Sequence, residues 1–178
     1  MLAAAIVVGV VAGSAIAVTA QDASSGAAFV TGTVGASTVI GEPASTIAGG
    51  VENVRGLVRE GPIEMSDSRL TGLLVRVLNF TVHPTGSEGA ALLQTDLWRI
   101  ENDGGSWSGP STAFSGLGEL PSEVTADLET VVLTGEGEYD GLSAYLVADW
   151  TPETGADVQG AIFTGEMPPV PEGFPEGE

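Results

Sequence analysis

The chain contains no cysteine and no lysine, and it has one histidine among its 178 residues. The absence of cysteine excludes disulfide bonds and thiolate chemistry, and with a single histidine it also excludes a Cys/His metal cluster. Five arginines stand against 24 Asp and Glu residues, which gives a net charge of −19. This charge repels phosphate backbones and argues against nucleic acid as a partner. It indicates a solvated acidic surface or adaptation to high salt.

Charged side chains are also absent from the N-terminal segment, where the first is Asp22. Residues 2–20 are almost entirely apolar and have small residues at Val18 and Ala20, a pattern typical of a signal peptide cleaved after Ala20. This pattern predicts a secreted, extracellular protein. The segment is also just long enough for a hydrophobic membrane-spanning helix. The alternative is therefore an uncleaved anchor that contacts the membrane only through residues 1–20, with the domain outside.

The rest of the chain has short segments rich in β-branched and aromatic residues, separated by many of its 26 glycines. No helical period is found there, so the pattern predicts an all-β domain. We expect a closed antiparallel β-barrel of about eight strands, because closure removes free strand edges; a β-sandwich is the alternative. Strands are predicted at 27–34, 50–59, 62–66, 70–82, 90–101, 106–114, 128–135, 142–150 and 157–164.

The same pattern sets the domain organisation. A linker at 21–26 follows the N-terminal segment, and the barrel domain is predicted at 27–166. Residues 41–49 and 116–127 are interpreted as long loops, the second with one helical turn after its proline. The Pro- and Glu-rich residues 167–178 are expected to form a disordered tail, because such a composition cannot build a packed core.

Two predicted strands suggest where charged side chains lie. The Asp-Gly and Gly-Gly pairs after Asn102 favour a tight hairpin turn. Alternation before this turn points Trp98 to the core and leaves Arg99 and Glu101 more exposed. The strand at 70–82 is apolar on both faces. Arg76 lies on the same face of this strand as Leu74 and Leu78, which are expected to point to the interior. Arg76 is therefore either a buried cation that needs a carboxylate or an arginine whose head reaches the barrel rim.

Motifs for catalysis or metal binding are few. His83 precedes a proline at a strand end, which is typical of a turn residue. The segment from Gly135 to Gly141 begins like a calcium-binding loop, but Val147 occupies the position that needs a bidentate glutamate. A looser calcium site from Glu136, Glu138 and Asp140 is the alternative to an acidic β-turn. No cofactor is expected from these residues.

The Gly-rich run that ends in Ala144-Tyr145 resembles a late strand–turn element of a known family. Together with the segments IENDGGSWSG and AIFTGEMPP, it is similar to uncharacterised secreted bacterial proteins related to the allene oxide cyclase and dirigent barrels. The resemblance spans roughly residues 27–165 and implies an eight-stranded antiparallel barrel with an interior cavity, often oligomeric, so a homo-oligomer is expected. It does not imply the cyclase reaction, and Glu136 stands where the family often has a small hydroxyl residue.

Three functions follow as hypotheses. The first is a barrel that binds a small apolar ligand; the alternative for its aromatic rings is that they simply fill the interior, as is usual in small barrels. The second is a cyclase- or isomerase-like enzyme that confines an apolar substrate and uses a carboxylate such as Glu64. The third is a non-catalytic interaction protein of the cell surface. The side chains expected to line a ligand cavity are Trp98, Trp107, Tyr145, Trp150, Arg76 and Glu64.

Overall fold

The computed structural model of the protein describes residues 27–84, 90–117, 124–151 and 155–166. The predictions for the signal peptide or anchor, the linker, the C-terminal tail and the helical turn lie outside these ranges. Within them the chain is all-β, as predicted, with ten strands and one short 3-10 helix, Ser68–Leu70. No helix in these ranges has the length and apolar character needed to span a membrane.

The strands are mostly long and follow one another with short connections. They are β1 (Ala28–Val34), β2 (Thr38–Gly41), β3 (Ala44–Ala48), β4 (Val51–Met65), β5 (Gly72–Pro84), β6 (Ala90–Asn102), β7 (Gly105–Leu117), β8 (Val124–Gly137), β9 (Leu142–Thr151) and β10 (Gly155–Thr164).

All the strands belong to one antiparallel sheet whose hydrogen bonding returns to its starting strand. The order is β1-β10-β9-β8-β7-β6-β5-β4, and β1 also pairs with β4, so these eight strands form a ring. The β1–β4 contact is short and joins three residue pairs, from Gly32↔Met65 to Val34↔Ile63. Strands β2 and β3 lie outside the ring; β3 pairs with the N-terminal part of β4 and β2 with its middle.

Two sequence interpretations near β4 are wrong. Residues 41–49 are not a loop, because β3 and the end of β2 pair with β4. The side chains of β3 are all exposed, so pairing rather than burial stabilises this strand and no hydrophobic alternation marks it. The two strands predicted at 50–59 and 62–66 are one. Pro62, which has no N–H to donate, lies where the partner of β4 changes from β2 to β1.

Strand β5 is apolar on both faces, but only one of its faces is buried. Leu74, Arg76 and Leu78 are buried inside the ring. On the outer face, Leu73 is 44% exposed, and Val75 is half-buried. The apolar composition of the outer face therefore does not reflect a second covering layer in the described part of the chain.

The interior combines large side chains on some strands with very small ones on others. Gly109 on β7 shows how closely the strands approach, because a Cβ atom there would lie 1.9 Å from the carbonyl oxygen of Val132. Small residues on β9 and β10, such as Ala144, Ala148 and Ala156, are buried and leave room for bulky partners across the ring. Alternation along each strand thus directs these side chains into the interior.

One end of the ring is closed by the short 3-10 helix between β4 and β5. Leu70 from this helix is fully buried in the core. The side chain of Asn102 donates 3.0 Å hydrogen bonds to the carbonyl oxygens of Arg69 and Thr71, and the Trp107 indole donates to the Arg69 carbonyl at 2.8 Å. These bonds satisfy backbone groups that the sheet leaves unpaired.

Candidate functional site

The interior of the ring contains a buried charged cluster, which consists of Arg76 of β5, Asp96 of β6 and Glu129 of β8. The Nη2 atom of Arg76 donates to Asp96 Oδ2 at 2.9 Å and to Glu129 Oε2 at 2.8 Å. Both carboxylate side chains have an exposed fraction of 0%, and that of Arg76 is 7%. Asp96 lies six residues before the end of β6, or about 20 Å along the strand from Asn102 at the closed end. The charged cluster and the closed end are therefore separate features.

Four side chains donate hydrogen bonds to Glu129 of β8. The Trp98 indole reaches Oε1 at 2.7 Å, and the Trp150 indole reaches Oε2 at 2.8 Å. Ser111 Oγ donates to Oε1 as well, and Arg76 completes the set. Each carboxylate oxygen thus accepts two hydrogen bonds. This arrangement holds the carboxylate and the two indole rings in fixed positions, because a buried carboxylate with four donors has no alternative partners of equal strength.

The carboxylate of Asp96 accepts fewer hydrogen bonds than that of Glu129. Its Oδ2 accepts a 2.6 Å bond from Gln94 in addition to that from Arg76, and its Oδ1 accepts the backbone N–H of Asn79 at 3.2 Å. Burial raises the pKa of Asp96 to about 6, against the attraction of Arg76, and repulsion from Glu129 contributes to the rise. A carboxyl group with this pKa exchanges protons near neutral pH, which its usual value does not allow.

Two indole rings flank the guanidinium group. The Arg76 carbon Cζ lies 4.1 Å from the ring centroid of Trp150 and 5.3 Å from that of Trp98. The two rings meet edge to face, with centroids 6.3 Å apart. Cation–π contacts of this kind offset part of the lost hydration of a buried arginine. Trp150 is only half-buried, so the charged cluster reaches the surface of the described structure at this ring.

The structure brings three of the six predicted cavity residues together, namely Arg76, Trp98 and Trp150. Trp107 lies at the closed end, where it stacks on Tyr139 with ring centroids 5.2 Å apart. The other two, Tyr145 and Glu64, are exposed rather than interior.

Tyr145 instead faces outward and lines an open groove. This groove has a volume of about 700 Å³ and is also lined by Phe29, Ala161 and Val147. Phe29 is 67% exposed and Tyr145 is 37% exposed. The expectation that Tyr145 lines an interior cavity is therefore wrong, because the alternation of β9 places it on the outer face of the ring.

Glu136, Glu138 and Asp140 do not form the calcium site considered above. Within the described residues, no group of three or more His, Asp and Glu side chains is arranged to hold a metal ion. The turn is instead organised by Tyr139, whose hydroxyl donates to Asn102 Oδ1 at 2.6 Å. This bond links the turn to the closed end of the ring, which is a structural role.

Asp96 and Glu129, the two carboxylates of the charged cluster, were not among the predicted site residues. A signal for both exists in the sequence. Asp96 shares the parity of the inward-facing Trp98, and Glu129 that of the buried Val131 on β8. A buried Arg76 requires a carboxylate, and the facing strands offer these two. No protein-family model, curated protein or solved structure matches the chain.

Proposed function

We propose that the ring is a closed β-barrel, similar to the allene oxide cyclase and dirigent barrels, that binds a small and largely apolar molecule next to the charged cluster. The observation that carries this proposal is the burial of Arg76, Asp96 and Glu129 in an interior whose buried side chains are mostly apolar. The β1–β4 pairing supports closure of the barrel.

The free energy of folding gives no reason to retain such a cluster. Removing two carboxylates and a guanidinium from water costs several kcal/mol per ion, and well-packed apolar residues of similar volume are often as stable or more stable. Perturbed titratable groups in a protein interior are more common at functional sites than elsewhere. A polar centre with aromatic walls is also the usual composition of a small-molecule site. Together these arguments favour a binding role for the cluster.

Tryptophan fluorescence tests the proposal directly, because the indole rings of Trp98 and Trp150 contact the charged cluster whereas that of Trp107 lies at the closed end of the ring. We expect saturable quenching when the protein is titrated with a panel of terpenoids and fatty acids. The Trp107→Phe variant is the matched control and should keep the response. The Trp150→Phe variant should lose most of it. The absence of a saturable response across the panel in the wild-type protein would refute the binding function.

The raised pKa of Asp96, about 6, favours one alternative, a cyclase- or isomerase-like enzyme that confines its substrate. In that function Asp96 would donate and accept the proton, in place of the exposed Glu64 considered from the sequence. General acid–base catalysis is most efficient when the pKa lies near the working pH. Incubation of a bound compound in D₂O, followed by mass spectrometry, should then show deuterium incorporation that Asp96→Asn abolishes. Binding without incorporation would leave the protein as a binding protein.

The proposed place of action is outside the cytoplasm. This follows from the apolar residues 2–20 and from the small residues at Val18 and Ala20. An anchored form and a role in cell-surface interactions remain the competing proposal. The side chains of strand β3, including Ile47 at 74% exposure, are open to solvent, and this supports a surface role.

A further inference from the structure

The hydrogen bonds of the charged cluster leave donors without acceptors. Both hydrogen bonds that Arg76 makes with described residues come from its Nη2 atom. Its Nε atom is buried and has no hydrogen-bond partner among the residues that the structure describes. A guanidinium group carries five N–H donors. Arg76 therefore retains donor capacity in a region where an unpaired donor is unfavourable.

The acceptors of the cluster are, in contrast, nearly all used. The two oxygens of Glu129 accept four hydrogen bonds. Those of Asp96 accept three. A carboxylate has about four acceptor sites, so a molecule that brings further donors would find almost no partner. A molecule that brings an acceptor would find Arg76.

Charge decides which kind of acceptor fits. The cluster sets one guanidinium against two carboxyl groups, and the whole chain has a net charge of −19. A further anion beside Asp96 and Glu129 would be repelled at short range in a region of low dielectric constant. A neutral oxygen accepts the same hydrogen bond without that repulsion.

We propose, building on the binding function above, that the bound molecule is a neutral carbonyl compound, a ketone or an aldehyde on an apolar body, whose oxygen accepts a hydrogen bond from Arg76. Trp150 covers one face of the guanidinium and is half-buried. The molecule reaches Arg76 beside this ring, which keeps its hydrogen bond to Glu129. The apolar body then packs against the indole rings and against the buried side chains of Leu78 and Ala113, which belong to the same two strands as Arg76 and Ser111.

Three probes with one apolar ring test the chemical class: cyclohexyl methyl ketone, cyclohexanecarboxylate and ethylcyclohexane, titrated calorimetrically at pH 7.5. We expect the ketone to bind at least about tenfold more tightly than the other two, since a hydrogen bond from a charged donor has about this effect. Equal affinities, or preference for the carboxylate, would overturn the carbonyl proposal and leave the binding function intact. If neither these probes nor the terpenoid and fatty-acid panel binds, the binding function itself fails.

Variants locate the effect at Arg76. The triple variant Arg76→Met, Asp96→Asn, Glu129→Gln removes the charges together and should bind ketone and hydrocarbon equally. Arg99→Met, on the outer face, should keep the tenfold preference. If the triple variant does not fold, the infrared spectrum of the ¹³C-labelled ketone on the wild-type protein decides. A carbonyl stretch shifted to lower frequency than in cyclohexane supports the hydrogen bond, and an unshifted stretch overturns it.

Discussion

Replacing Arg76 by methionine tests whether the charged cluster is as strongly coupled as its geometry indicates. Arg76 Nη2 lies 2.9 Å from Asp96 and 2.8 Å from Glu129, and both carboxylate side chains have an exposed fraction of 0%. The variant keeps most of the side-chain volume but leaves two buried carboxylates without their cation. Breaking a buried pair in this way lowers the free energy of unfolding by about 3–5 kcal/mol.

The assay is urea unfolding at pH 7.5, followed by tryptophan fluorescence. The matched control is Arg99→Met, because Arg99 also forms a short ion pair, 2.6 Å from Glu101, but with side chains about half exposed, 51% and 50%. Exposed pairs contribute about 0–1 kcal/mol. We therefore expect the Arg76 variant to lose several times more stability than the Arg99 variant, with unchanged m-values if the unfolded states are similar.

A second comparison separates the loss of charge pairing from the loss of packing. Adding Asp96→Asn and Glu129→Gln to the Arg76 variant removes the unpaired charges and should restore most of the lost stability. If Arg76→Met costs no more than Arg99→Met, the cluster is not desolvated as described. If the triple variant is as unstable as the single one, packing around the arginine rather than charge explains the loss.

Three further predictions concern other parts of the molecule. The pKa of Asp96 rises from 3.8 to about 6 on folding, so between these pH values the folded state binds more protons than the unfolded state. The contribution of Asp96 to the free energy of unfolding is therefore complete below pH 4 and is lost as the pH rises through 6. The free energies of unfolding at pH 4.5 and at pH 7.5 should differ by about 2 kcal/mol less in Asp96→Asn than in the wild type. Tyr139→Phe removes the bond to Asn102 but keeps the stack on Trp107, and we expect thermal unfolding to show a loss of about 1 kcal/mol; no loss would mean that water replaces the bond. Intact-mass measurement of exported protein should show a mature chain without residues 1–20, whereas a chain that still begins at Met1 would contradict cleavage after Ala20.

Local patterns account for most of the fold because strand alternation and turn residues are encoded nearby in the chain. The all-β class, the hairpin after Asn102 and the inward direction of Trp98 follow from such patterns. Strand β3 does not, because its exposed side chains have no alternation and its stability comes from pairing with β4. The prediction that Tyr145 lines the interior is wrong for a different reason, since an aromatic side chain in a strand is as compatible with the outer face as with the core.

By itself, the sequence determined that this chain has no cysteine chemistry, carries a large negative charge and alternates as a β-sheet protein. It also determined that Arg76 shares the parity of core residues. Only the tertiary structure decided which carboxylates meet this arginine. Asp96 is 20 residues away in the sequence and Glu129 is 53 residues away. Alternation limits the candidates to one face of each strand. The strand order of the ring and its register select the partners, because contacts across the ring depend on strand order rather than on distance along the chain.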